Sequence, residues 1–231
     1  TGGHGLRRMG NLSRARERAA AAGETVPTLE AFSLCSVGEV MAQHLRYDAA
    51  QVVLEALQSA DLVYPCYCSR REVQTNGHAG VDGVVYNRHC ADLPLEQSAL
   101  NTKIPAWRVR VPDAEVVFQD GIVGQYSQNL ARDIGDFALL RADGYWAYQL
   151  AVVVDDAEQG ITHIVRGQDL LISTPRQIHL QRCLGYAEPC YAHLPLLMNK
   201  QGQKWSKQPL ALVTYTNLKM TTIRLFYIWA A

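Results

Sequence analysis

The sequence predicts an α/β fold: a mainly parallel sheet that carries a nucleotide-type loop, with a smaller α+β piece inserted in it. Three observations carry this. Between Tyr145 and Gln208 the apolar segments LAVVVDD, THIVRGQDLL and HLPLLMN alternate with a helix-like TPRQIHLQRCLG. Strands rich in branched residues and separated by a helix suit a parallel sheet buried on both faces. The last of these segments empties into a polar loop, KQGQKWSKQ. Loops beyond the carboxyl ends of parallel strands are where open α/β sheets bind ligands. Finally, Cys66-Tyr67-Cys68 and Cys90 bracket a glycine-rich stretch with the spacing of a structural metal site, set apart from the apolar segments of the sheet.

Composition bounds the function. Of 231 residues, 48% are hydrophobic and 19% charged, enough for a real core in one or two domains. Lysines plus arginines equal the acids, 22 against 22, which argues against a general nucleic-acid coat but allows a local basic strip. The sequence shows no apolar stretch of membrane-spanning length and no secretory start, so a cytoplasmic enzyme is expected. The 6 cysteines are then expected as thiols or metal ligands rather than disulfides.

In chain order, residues 1–62 begin with TGGHGLRRMGNLSRARERAAAAGE, rich in Gly, Arg and Ala and without a strand-loop-helix unit. TLEAFSL reads as a short helix end. EVMAQHLRYDAAQVVLEALQSADLVYPC reads as a long helix entering a strand, with Val52, Val53, Leu57 and Leu62 on the apolar face. Residues 63–135 form the insertion. Cys66, Cys68 and Cys90 offer three soft ligands of a tetrahedral structural zinc site. Tyr86, His78, His89 or water could supply the fourth, and three plain buried thiols near a hairpin are the alternative. GHAGVDG reads as a loop closed by the metal. Ala91 to Asn101 reads as a linker, and WRVRV, EVVFQD and GIVGQYS as strands, with Arg108 and Arg110 on one face.

Residues 136–208 return to the main sheet. Asp143-Gly144 signals a hairpin. Tyr148 stands just before the expected buried strand LAVVVDD, whose closing acids Asp155 and Asp156 suit an end cap better than a metal pair. Arg166, beside Gly167, could pair bidentately with a carboxylate. Ser173 or Thr174 can cap the next helix, with Pro175 in its first turn, Ile178, Leu180, Cys183 and Leu184 near helical spacing, and Gly185 as its stop. His163, His179 and His193 have no partner at catalytic spacing in the sequence and are expected to be structural or at the surface. Cys183 and Cys190 are expected to pack. In the KWSKQ loop, Lys204 and Lys207 flank Ser206 and can embrace the phosphates of a nucleotide. On its own that pattern is weak, and its place after strand, helix and strand gives it meaning. Residues 209–231 form an apolar tail, with a helix expected from about Thr216 and Leu218, Ile223 and Phe226 inward.

KWSKQ together with VVVDDAEQGITHIVRGQDLLISTPRQIHLQRCLGY resembles the glutamyl-queuosine tRNA(Asp) synthetases, paralogues of class I glutamyl-tRNA synthetases that lack the anticodon-binding domain. The likeness runs from about Gly38 to Gln208. It implies a class I synthetase Rossmann-like sheet and a two-step reaction: ATP activates L-glutamate, and the glutamyl group passes to queuosine in the anticodon of tRNA(Asp). It assigns Tyr148 and Arg166 to glutamate. Lys204, Ser206 and Lys207 go to ATP, the two lysines acting in catalysis. Cys66, Cys68, Tyr86 and Cys90 go to Zn2+, and the chain is expected to be a monomer. The insertion would lie beside the acceptor end of tRNA or its analogue. There are departures. Trp205 replaces the usual Leu or Met, and His44 a Ser. Gly10, Asn11 and Ser13 stand where the family has three acids. The H-I-G-H-type loop is missing apart from an echo at His4-Gly5. These losses predict a weakened activity, and leave two alternatives: an inactive zinc-containing RNA- or protein-binding module, or a truncated glutamyl-tRNA synthetase.

Overall fold

The computed structural model describes residues 4–6, 8–9, 41–93, 102–196 and 227–230. Among these the chain runs β1 (His4–Leu6), β2 (Arg8–Met9), β3 (Met41–Ala42), α1 (Tyr47–Ser59), β4 (Val63–Cys66), α2 (Arg70–Asn76), β5 (His78–Gly80), β6 (Gly83–Val85), β7 (Ala106–Val109), β8 (Glu115–Asp120), β9 (Gly124–Asn129), α3 (Leu130–Asp133), β10 (Ala138–Leu140), α4 (Tyr148–Glu158), β11 (His163–Gly167), α5 (Thr174–Leu184), β12 (Cys190–Leu194) and β13 (Tyr227–Ala230), with 3-10 turns at Gln43–Leu45 and Gln168–Ser173.

The largest sheet has the order β1-β13-β11-β12-β8-β9. Its parallel centre is β11 beside β12, in register from His163↔Cys190 to Gly167↔Leu194. The link between them is α5, a right place for the crossover that parallel pairing demands. Pro175 stands in its first turn and Gly185 ends it with φ 67, a conformation that favours glycine. Strand β8 joins β12 in parallel at Tyr191↔Asp120 and folds back on β9 as a hairpin. On the other side β13 runs antiparallel to β11. The sheet is therefore mixed, not wholly parallel. A second, three-stranded sheet has the order β10-β7-β4, and β5 pairs with β6 in a short hairpin. The segment 63–135 thus contributes strands to three sheets.

Four further expectations are corrected. LAVVVDD is helix, not strand: it lies in α4, where Leu150 to Asp156 are all buried. An element enclosed on every side is apolar all round, so its pattern does not separate a buried helix from a buried strand. Neither Ser173 nor Thr174 caps α5 through its side chain. The Thr174 hydroxyl is instead drawn to Leu170 O and to Arg166. Helix α1 forms as expected, but its inner face is Ala50, Val53, Leu54 and Leu57, while Val52 is 66% exposed. GHAGVDG is the β5–β6 hairpin rather than a loop. A methyl group at Gly80 would come within 2.4 Å of the Asp133 carbonyl oxygen, so the hairpin packs there only because the side chain is absent. The turn at Asp143-Gly144 is present, closed by the bridge Leu140↔Trp146.

Helices α1, α4 and α5 pack with the two larger sheets around one core, in which Leu54, Leu57, Leu130, Leu139, Leu150, Ile178 and Leu180 are at most 1% exposed. Asp155 and Asp156 are buried on α4 and neither end a strand nor form a bare pair. Arg8 ion-pairs with Asp156 and lies 3.8 Å from Asp155, and Gln43 donates to Asp155 at 2.7 Å. A small second core holds Tyr64, Cys66, Tyr86, Cys90 and Ala91.

Candidate functional site

Cys66 ends β4, Cys68 follows it, Tyr86 follows β6, and Cys90 lies in the turn beyond. The three thiol sulfurs lie within 4.8 Å of one another, the group of potential metal ligands found among the described residues. Cys68 Sγ is 3.4 Å from Cys90 Sγ, and the Tyr86 hydroxyl is 3.4 Å from Cys66 Sγ and 3.5 Å from Cys68 Sγ. With Zn–S bonds of about 2.3 Å and a Zn–O bond of about 2.0 Å, a tetrahedron has S···O edges of about 3.5 Å. The donor set therefore has the size and the softness that zinc requires. The backbone N–H of Cys90 donates to the Tyr86 oxygen at 2.8 Å, a contact that favours a phenolate there.

Protonation supports the same reading. Burial pushes the Cys68 thiol up to about 12, with the neighbouring thiols adding to it and a hydrogen bond with Tyr86 opposing. Burial and bonds with the cysteines push the Tyr86 phenol upward. At Cys90 burial also raises, but hydrogen bonds from Tyr86 and from the Tyr67 backbone outweigh it and hold the thiol below its ordinary value. Without a cation Cys68 and Tyr86 keep their protons, and metal binding would release them. His78 and His89, the other candidates for the fourth corner, face elsewhere: His78 bonds the Arg132 carbonyl at 3.3 Å, and the His89 ring is exposed.

Asp136 ties this small core to the large one. Its carboxylate accepts from Tyr64 at 2.8 Å, from Arg88 at 2.8 and 2.9 Å, and from the Val111 backbone at 2.8 Å. Arg108 lies over the Tyr86 ring at 4.2 Å and Arg110 over the Tyr64 ring at 4.8 Å, so both arginines pack on aromatic faces and are only partly exposed.

The second polar cluster is at the carboxyl ends of β11 and β12. Arg166, 6% exposed, donates from Nε to His193 Nε2 at 3.0 Å and from Nη2 to Thr174 Oγ1 at 2.7 Å. His193 Nδ1 lies 2.6 Å from Asp120 Oδ2. Burial, with the Arg166 charge, holds the His193 imidazole below its ordinary pKa although Asp120 pulls the other way. At Asp120 burial raises, but the Val123, Ile122 and His193 amides and the His193 ring outweigh it and leave the carboxyl depressed. His193 is thus fully buried and partnered, structural as expected yet far from isolated. His179 is buried and bonded to the Arg110 carbonyl at 2.9 Å, while His163 is exposed.

Of the residues assigned to substrates, Tyr148 opens α4, half-buried against the main core, and Arg166 holds the cluster just described. Lys204, Trp205, Ser206 and Lys207 lie outside the described residues, as do Gly10, Asn11, Ser13 and the expected helix from Thr216. Sequence reasoning missed Asp120 altogether and set His193 aside. The register Arg166↔His193 places them side by side on adjacent strands, and nothing local in the sequence reports it.

Compared with known proteins, residues 2–223 match the family described as tRNA synthetases class I (E and Q), catalytic domain. A solved glutamate tRNA ligase from Elizabethkingia meningosepticum, in complex with its amino acid, has a TM-score of 0.73 at 22% identity, covering 85% of this chain and 43% of that one. That likeness shows the fold, which is the class I synthetase catalytic fold. Among curated proteins, the chain is 60% identical over 223 residues to a glutamyl-Q tRNA(Asp) synthetase of Neisseria meningitidis serogroup C, covering 96% of this chain and 75% of that one. It is 48% identical over 211 residues to the protein of the same name from Chromobacterium violaceum, covering 91% and 69%. The chain belongs to the glutamyl-Q tRNA(Asp) synthetase family, a branch of the tRNA ligases. The matched span takes in residues at both ends that the sequence reading set apart from the middle.

Proposed function

We propose that the chain activates L-glutamate with ATP and transfers the glutamyl group to queuosine in the anticodon of tRNA(Asp). The observation that carries this is the 60% identity across nearly the whole chain to a protein bearing that name. In the first step a glutamate carboxylate oxygen attacks the α-phosphorus of ATP, the bond to pyrophosphate breaks, and glutamyl-adenylate remains. In the second a queuosine hydroxyl attacks the acyl carbon, AMP leaves, and the hydroxyl proton passes to solvent. No side-chain nucleophile is needed, so the protein contributes positioning and charge stabilisation.

Arg166 takes the glutamate carboxylate. A guanidinium has five N–H groups. Two are engaged by His193 and Thr174 among the described residues, which leaves three for a ligand. Tyr148 lines the same substrate, and Lys204, Ser206 and Lys207 hold the ATP phosphates. Cys66, Cys68, Tyr86 and Cys90 hold a zinc ion, whose part is structural: it offsets part of the charge of four anionic donors and closes the segment 63–93. The protein works as a monomer. Among the described residues no helix is long and apolar enough to cross a membrane.

The test is pyrophosphate exchange with the purified chain. Exchange that depends on glutamate and needs no tRNA supports the reading. Glutamate recovered on the 3′ end of tRNA would select a glutamyl-tRNA synthetase instead. Absence of exchange, with tRNA still bound, would select an inactive module, the outcome that Gly10, Asn11 and Ser13 in place of acids would favour.

A further inference from the structure

We propose that His193 and Asp120 are positioning residues for Arg166: they fix the plane and the free edge of the guanidinium that meets the substrate carboxylate. The proposal rests on the glutamate-binding role given to Arg166 above.

The argument is one of donors and acceptors. Arginine offers only N–H groups. Since Arg166 Nε lies 3.0 Å from His193 Nε2, that ring nitrogen must be the acceptor. The ring proton is then on Nδ1, where it meets Asp120 Oδ2 at 2.6 Å. An imidazolium would set N–H against N–H at the Arg166 contact. The opposite tautomer would do the same and would also leave Asp120 Oδ2 without the ring's proton; with Nε2 bare, the Thr174 hydroxyl 3.1 Å away can donate to it as well. The His193 and Asp120 side chains are fully buried, so water cannot relieve either mismatch.

Asp120 is itself immobilised. Its Oδ1 accepts from the backbone N–H groups of Ile122, Val123 and His193 at 3.0, 2.9 and 3.1 Å. A carboxylate held by three amides holds the imidazole, and the imidazole holds the arginine. Thr174 Oγ1 completes the clamp at Arg166 Nη2, 2.7 Å away. Nε and Nη2 form the side edge of a guanidinium. With that edge occupied by His193 and Thr174, the end edge, Nη1 with the second proton of Nη2, is left as the fork that matches a carboxylate. Without His193 the side edge would compete for the same ligand.

The test uses the full chain with two readouts: calorimetric titration of L-glutamate, and 15N NMR of the His193 ring. His193→Leu is expected to weaken glutamate binding about 10- to 100-fold, the loss of one hydrogen bond to a charged group, with ATP binding unchanged. His193→Gln, whose Oε1 can replace Nε2 as acceptor, is expected to stay within about threefold. The NMR spectrum is expected to show Nδ1 protonated and Nε2 bare at neutral pH. If His193→Leu does not fold, Asp120→Asn serves: it should mix the tautomers and weaken glutamate binding about fivefold. A merely structural role would instead lower the melting temperature and both ligand affinities together. Equal glutamate affinity in His193→Leu and the unsubstituted chain, equal losses in the Leu and Gln variants, or a bare Nδ1 would each overturn the proposal. Failure of the unsubstituted chain to bind glutamate at all would overturn the functional reading and take the positioning role with it.

Discussion

The two buried polar clusters solve opposite problems. Around Tyr86 the three thiols and the phenol can all become anions only if a cation from outside joins them. Around His193 the chain supplies every sign itself, in the order carboxylate, imidazole, guanidinium. The row's charges balance within the chain, and only the free edge of Arg166 is left for a ligand. A ring of like donors can hold a metal, and with one bound its order would depend on that metal. The first cluster should therefore respond to chelation and the second to protonation.

The largest expected effect breaks the contrast at its metal end. Cys66→Ala should abolish zinc binding, measured by elemental analysis of the purified chain, and lower unfolding stability by about 4 kcal/mol in denaturant titration. A chelator should do the same to the unsubstituted chain. No response to either would show that the four donors close the segment unaided.

Next comes the strut between the cores. Asp136→Asn leaves Arg88 and Tyr64 without their carboxylate, and a loss of about 2–3 kcal/mol is expected from chemical denaturation. Arg88 keeps partial access to water, which limits the cost.

The pH response sharpens the other end. His193 and His179 are both depressed by burial, so the unfolded chain binds more protons than the folded one as pH falls below about 6.5. Stability is full above that pH and is lost as the pH drops toward the folded pKa values. Asp120, also depressed, loses its contribution only at lower pH, as it protonates below the ordinary carboxylate value. The groups that set His193 are Asp120, Arg166 and Asp169. The melting temperature at pH 5.5 should be lower than at pH 7.5, by the equivalent of about 1 kcal/mol. His193→Gln should reduce that difference.

The smallest effect is a control. Arg132 pairs with Asp133 but is 64% exposed, and Arg132→Gln should leave the melting temperature unchanged within error. A clear drop would mean that surface charge matters here as much as buried charge.

How much of this the sequence could show depends on distance along the chain. The thiol cluster is local, its members between Cys66 and Cys90, and spacing alone brought out three of them; Tyr86 came from the family pattern. Helix α5 was legible because Pro175 and Gly185 mark its ends chemically. Helix α4 was not, because burial on all sides erases its period. Asp120 and His193 are 73 positions apart and meet only through the parallel register of β8, β12 and β11. Register is a property of the sheet, and no residue spells it.

That sheet contains one narrow joint. Strand β8 meets β12 at a single paired position, Tyr191↔Asp120, reinforced by Gly121 donating to the Tyr191 carbonyl at 2.8 Å. The paired residue is the one whose carboxylate meets the His193 imidazole, and the hairpin is fastened to the core as well through Val116 and through Phe118 against the Tyr191 ring. The seam between β8 and β12 and the seat of the arginine on the neighbouring strand therefore share one residue, Asp120, and loosening either would disturb the other.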